Sequence, residues 1–149
     1  MTSPGPATVH ASTVLVGARA LLIRGPSGSG KSRLVLDILK SGHWPFTRLI
    51  GDDRIRLEAK NGRLLARPAA GLEGLLEVRG LGLRQFAHEP CGVIGLVVDL
   101  AATDAVRLPE EAALRVEIAG VRVPRIPVSG SQSALPLIWS AIESAATIS

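Results

Sequence analysis

Three observations predict an α/β fold in which a glycine-rich loop is set in a mixed, hairpin-rich β-sheet with few helices. The stretch Gly25-Pro26-Ser27-Gly28-Ser29-Gly30-Lys31-Ser32 joins an apolar run to a helical pattern. The chain beyond that helix carries hairpin signals instead of alternating strands and helices. Its 149 residues are the length of one domain.

The elements follow in order. Residues 1–8, opening Met1-Thr2-Ser3-Pro4-Gly5-Pro6, have neither a basic nor an apolar segment and read as a flexible tail without a signal peptide. A single catalytic-type domain is expected over 9–149. Val9 to Val16 alternates, Gly17-Ala18 turns the chain, and Ala20 to Ile23 returns, giving a hairpin that runs into the glycine loop. Leu34, Val35, Ile38 and Leu39 then recur at helical spacing until Ser41-Gly42. Leu49-Ile50-Gly51 is a short apolar run before Asp52-Asp53. Asn61-Gly62, between Ile55/Leu57 and Leu64-Leu65, favours a type I′ turn. Leu75 to Val78 is a further strand, ended by Arg79-Gly80-Leu81-Gly82, and Val93 to Leu100 reads as a buried one. Leu114–Ile118 and Val121–Val123 flank Ala119-Gly120 as another hairpin, and Ser133 to Ala146 reads as a closing helix.

Composition excludes several classes. Hydrophobic residues make up 46% and charged ones 20%, as in ordinary globular proteins. The longest apolar stretch, around Gly92 to Ala102, is broken by Asp99 and too short to span a bilayer, so no membrane role is expected. The lone Cys91 has no disulfide or ligand partner, agrees with a cytoplasmic protein, and reads as a small core residue. The net charge of +4 comes from dispersed arginines with few aromatics, which argues against nucleic acid as a partner.

The loop carries the clearest chemistry. It fits G-x-x-x-x-G-K-[ST] between a strand and a helix, the context of a P-loop. Glycines let backbone N–H groups approach phosphate oxygens, and the helix N-terminus adds a favourable dipole. Lys31 would meet the β/γ-phosphates of a nucleotide and Ser32 would ligate Mg²⁺. Phosphoryl transfer also needs a carboxylate for the metal and a base. Asp52-Asp53 and Asp99 both follow apolar runs, and spacing leaves the choice between them open. His10 could be structural or catalytic. Glu77 stands in an apolar strand, where a carboxylate is costly unless paired or metal-bound. Arg79 and Arg107 read as surface residues.

With Leu75-Leu76-Glu77-Val78-Arg79-Gly80-Leu81-Gly82, these pieces resemble the catalytic domain of HPr kinase/phosphorylase, whose signature reads L-E-I-R-G-L-G. The resemblance runs from about Val9 to Ile142, in a short form without the family's N-terminal domain. It implies a scaffold like that of phosphoenolpyruvate carboxykinase, ATP and Mg²⁺ as cofactors, and an HPr-like phosphocarrier of the phosphotransferase system as the partner phosphorylated on serine. The same family can remove that phosphate with inorganic phosphate. Carried over by position, the resemblance gives His10, Lys31, Asp52, Asp53 and Arg107 to catalysis, Gly25 to Ser32 to the nucleotide, and Ser32, Asp53 and Glu77 to the metal. Which aspartate is the base stays open, as does the oligomeric state, and Asp99 becomes structural. A small-molecule kinase or ATPase, or a nucleotide-binding regulator without turnover, are the alternatives on the same scaffold.

Overall fold

The computed structural model describes residues 8–144. The expected tail therefore lies outside the described residues, apart from Thr8, which opens the first strand. β1 (Thr8–Val16) and β2 (Arg19–Arg24) form the expected antiparallel hairpin, and α1 (Lys31–Ser41) follows the glycine loop. Next come β3 (Thr47–Gly51), β4 (Arg54–Lys60) and β5 (Arg63–Pro68). Asn61 and Gly62 both take positive φ, 53° and 74°, as the tight β4–β5 turn requires. β6 (Leu75–Val78) pairs with β7 (Gly82–Gln85) in a separate ribbon, and β8 (Gly92–Asp99) is the buried strand anticipated. After one turn of 3₁₀ helix (Glu111–Leu114), β9 (Arg115–Ile118), β10 (Val121–Pro127) and α2 (Ala134–Glu143) complete the fold.

The main sheet is mixed. β8 runs parallel to β2 and to β10, and its other pairing, with β5, is antiparallel. The pairings β1–β2, β2–β8, β8–β5, β5–β4 and β4–β1 return to their starting strand, so five strands close a ring. This closure explains the unbroken apolar runs of β2 and β8. Leu21, Ile23, Leu96 and Val98 face the helices, where they meet Leu34, Val35, Ile38 and Ile138. Ala20, Leu22, Ile94 and Val97 face Ile50, Ile55, Leu64 and Ala66 on the other side. A strand covered on both faces has no polar side to present.

Three boundaries differ from the sequence reading. β7 was not anticipated: its Gly-Leu-Arg-Gln sequence is exposed throughout and carries no alternation. β10 continues past Val123 to Pro127, because Pro124 and Pro127 sit in the strand where prolines signal a break. α2 begins at Ala134 with Ser133 as its N-cap residue and is described to Glu143, the rest of the expected helix lying outside the described residues. Cys91 is half-buried at the entry to β8, not in the core. Among the described residues no helix is long and apolar enough to cross a membrane.

Ile138 joins α2 to the helix-side core and is fully buried. Ile138→Ala is expected to lower unfolding stability by about 2–5 kcal/mol. Leu81→Ala, at an exposed ribbon position, should stay within about 0.5 kcal/mol of wild type. Urea midpoints at unchanged m-value measure both.

Candidate active site

The pleat of β1 decides what reaches the site. Val14 and Val16 point to the helix-side core, so His10 and Ser12, in the same phase, point to the same side further along the strand. The antiparallel register sets Ala11 opposite Arg24, which brings this half of β1 beside the start of the glycine loop. On the other edge, Thr13 pairs with Gly51, the last residue of β3. A Cβ on Gly51 would stand 2.6 Å from Ile55 Cδ1 and 3.2 Å from Pro68 Cα, so only glycine lets the chain pass so close. The next two residues are Asp52 and Asp53.

Between them the chain turns in three residues. The Arg54 N–H donates to the Asp52 carbonyl at 2.8 Å across Asp53, whose φ is 70°. This is a γ-turn of the rare, strained hand. The Ala11 N–H holds it to β1 by donating to the Asp53 carbonyl at 3.2 Å. The turn sends the two carboxylates apart: Asp52 is buried, whereas the Asp53 side chain is 61% exposed.

Asp52 gathers donors from three elements. Ser12 Oγ donates to Oδ1 at 2.6 Å, and Ser32 Oγ lies 2.8 and 2.9 Å from the two carboxylate oxygens. The Glu77 N–H donates to Oδ2 at 3.3 Å. With its one proton directed to Asp52, the Ser32 hydroxyl has lone pairs to offer a cation. Asp53 Oδ1 instead lies 3.1 Å from His10 Nε2.

The glycine loop supplies the opposite polarity. α1 has Gly30 as its N-cap residue, with no side-chain cap and no acid in its first turn, leaving its N-terminal N–H groups for an anion. Lys31 Nζ donates to the Gly25 and Pro26 carbonyls at 2.8 and 3.2 Å, which holds the ammonium against the loop and leaves a third donor. Ser29 Oγ is buried in the loop with no hydrogen-bond partner among the described residues.

A cleft of about 640 Å³ opens over these groups. Gly28, Gly30, Lys31, Ser32, Asp53 and Glu77 line it, so most of the expected site is brought together. Ser12, Arg33, Lys40 and Arg79 line it too and were missed. The period-2 phase shared with His10 was a usable signal for Ser12; Arg33 and Lys40 lie on the face of α1 away from its buried Leu34, Val35 and Ile38. Glu77 belongs to the site for a different reason than expected. Its side chain is exposed on the cleft wall while neighbouring Leu76 is buried, so no burial cost marks it out. Ser32 is bonded to Asp52 rather than Asp53. Arg107 stands on the exposed loop after β8 and is not among the cleft-lining residues. Among the described residues no three His, Cys, Asp or Glu cluster as a metal cage. The oxygen set of Ser32 and the carboxylates suits Mg²⁺, which takes one or two carboxylates and completes its shell with phosphate and water.

Asp99 lies at the parallel β2–β8 pairing, opposite Arg24, but its oxygens are taken. Arg24 donates to both at 2.7 and 2.8 Å, and Arg125 Nε donates to Oδ2 at 2.6 Å. Arg125 also reaches Asp104 and the Ala113 carbonyl, tying the loop after β8 to the sheet.

The sequence matches the HPr Serine kinase C-terminal domain over residues 5–147. The chain belongs to this family. Among curated relatives, the HPr kinase/phosphorylase of Mycoplasma mycoides subsp. mycoides is 31% identical over 147 residues, covering 89% of this chain and 46% of the relative. That of Streptococcus gordonii is 33% identical over 132 residues, covering 81% and 41%. The chain thus spans less than half the length of these relatives. The Hpr(Ser) kinase/phosphatase structure from Coxiella burnetii has the same fold, with a TM-score of 0.73 at 23% identity over 91% of this chain and 88% of that one. The mixed, sheet-dominated α/β architecture is therefore that of the HPr kinase family.

Burial pushes the Asp99 carboxyl up, but the hydrogen bonds from Arg24 and Arg125 outweigh it and hold the group below the usual carboxylate range. Its contribution to stability is then full above the unfolded value of about 3.9 and is lost as the pH falls through the lower, folded value. Asp99→Asn should destabilise the protein at neutral pH, with the difference from wild type shrinking below about pH 4. Urea unfolding across a pH series reads this; a difference that does not change with pH would remove the ionic account.

Proposed function

We propose that this chain carries the catalytic site of an ATP-dependent serine kinase acting on HPr or an HPr-like phosphocarrier protein, a regulatory role within the phosphotransferase system. The observation that carries the reading is the Ser32–Asp52 contact. It joins a loop fitted for phosphates to an acidic pair beside His10, at the foot of a cleft walled by Glu77. Family membership and the names of the relatives support the choice of HPr. The glycine loop is read as a P-loop and the scaffold as phosphoenolpyruvate carboxykinase-like.

Bound ATP–Mg²⁺ supplies the γ-phosphoryl group and neutralises charge on it. The uncapped N–H groups at the start of α1 and Lys31 hold the phosphates, and the partnerless Ser29 hydroxyl fits a polar ligand in the loop. Ser32, Asp53 and Glu77 are the metal ligands expected of this site. The acceptor serine oxygen forms a bond to phosphorus as the bond to the β–γ bridging oxygen breaks, and ADP leaves. The serine proton passes to a carboxylate of the Asp52-Asp53 pair. His10, 3.1 Å from Asp53, orients that carboxylate. In phosphorolysis, inorganic phosphate would form a bond to the phosphoserine phosphorus as the bond to the serine oxygen breaks; that oxygen would take a proton from the acidic pair, and pyrophosphate would leave.

Labelled ATP, Mg²⁺ and HPr should give phosphoserine on HPr, and chelation of Mg²⁺ should stop it. The double substitution Asp52→Asn, Asp53→Asn should cut transfer by roughly 10²–10⁴-fold while leaving the fold intact. Asp99→Asn, tested where it is folded, should retain transfer. Turnover of ATP without labelled HPr would point to a small-molecule acceptor or to water. ATP binding with no turnover in wild type or double variant would make the chain a nucleotide-binding regulator.

A further inference from the structure

Ser12 and Thr13 are adjacent in β1 and both are fully buried, yet their hydroxyls differ. Thr13 Oγ1 has no hydrogen-bond partner among the described residues. Burial in this strand therefore does not by itself supply a hydroxyl with partners. Ser12 Oγ has two, and both belong to the acidic pair. It donates to Asp52 Oδ1 at 2.6 Å and accepts the Asp53 N–H at 3.4 Å. One hydroxyl thus bridges the side chain of the first aspartate and the backbone of the second, across a turn whose Asp53 has φ 70°.

We propose that Ser12 is the positioning residue of the acidic pair, setting the direction of the Asp52 carboxylate and bracing the strained turn at Asp53. This rests on the kinase reading above and deepens it. Ser12 is anchored by a strand that the hairpin with β2 and the pairing with β3 hold on both edges. The brace is consequently part of the sheet rather than of a loop, and it keeps the carboxylates in register with Ser32. Ser32 and the Glu77 N–H constrain Asp52 as well, but neither touches Asp53. Among the hydrogen bonds of the described residues, the Ser12 hydroxyl couples the two aspartates directly.

The test compares Ser12→Thr with Ser12→Val, which have nearly the same shape and differ in the hydroxyl. In the labelled-HPr assay, Ser12→Thr should keep kcat within about 3-fold of wild type, and Ser12→Val should lose about 10-fold or more in kcat with the KM for ATP unchanged. Thr13→Val, which removes the partnerless hydroxyl, should leave kcat unchanged. Equal kcat for the Thr and Val variants, or a loss confined to KM, overturns the assignment. If Ser12→Val does not fold by urea titration, Ser12→Ala takes its place and must show the same kcat loss. Failure of the kinase reading is a separate result, in which wild type labels no HPr. The Asp52 carboxylate carbon signal in NMR then decides the point: it should shift in Ser12→Val and stay in Ser12→Thr, and no shift in either overturns the proposal.

Discussion

The site depends on one buried carboxylate. Asp52 receives hydrogen bonds from β1 through Ser12, from the first turn of α1 through Ser32 and from β6 through the Glu77 N–H. An ionised carboxylate out of water is tolerated only with such donors, and it makes hydrogen bonds stronger than neutral ones. The same bonds fix three chain segments that are far apart in sequence against one point. The ribbon of β6 and β7 belongs to a separate sheet from the main one. Its Leu76 is buried in the helix-side core and its next residue meets Asp52, so core packing and the site share one anchor.

Asp52 and Asp99 show how one residue type at a strand end acquires opposite uses. Each follows an apolar run, and spacing could not separate them. Asp99 is enclosed by two guanidiniums: Arg24 donates to both of its oxygens and Arg125 Nε adds a third bond to Oδ2. Such a carboxylate is committed to holding β2, β8 and β10 together and has little left to offer a ligand. Asp52 is met by hydroxyls and a backbone amide, which bring no cation of their own, and it borders the cleft through Ser12 and Ser32. The identity of the donors, not the position on the strand, separates the structural acid from the candidate functional one.

Much of this was legible because it is local. The β1–β2 hairpin, the glycine loop, α1 ended by Gly42, and the Asn61-Gly62 and Ala119-Gly120 turns all have signals within a few residues. What escaped was set by tertiary pairing. β7 exists because β6 offers it hydrogen bonds, and β10 runs through two prolines because β9 and β8 receive it. Glu77 was singled out by a burial that does not occur, since its strand belongs to a two-stranded ribbon with an open face. Arg107 takes an active-site role from the family resemblance alone; read from the residues it is a surface arginine, and its loop is exposed and outside the cleft lining. Ser12 carried only the weak signal of strand phase, because a serine shows what it bonds to only once β3 is laid beside β1.

The turn at Asp53 makes the pair more than two adjacent acids. Side chains on successive residues of a continuing strand would face opposite sides of the sheet, and one of the two would leave the site. The γ-turn meets this constraint in a single residue, at the cost of a conformation that non-glycine residues rarely adopt. It keeps Asp52 inward on its three donors and turns Asp53 outward to His10 and the cleft. The β1 strand pays for this strain twice, through the Ala11 amide on the Asp53 carbonyl and through the Ser12 hydroxyl at the Asp53 amide. A pair built this way has one carboxylate locked into the scaffold and one tethered at its surface, and that difference in freedom comes from the backbone rather than from the acids themselves.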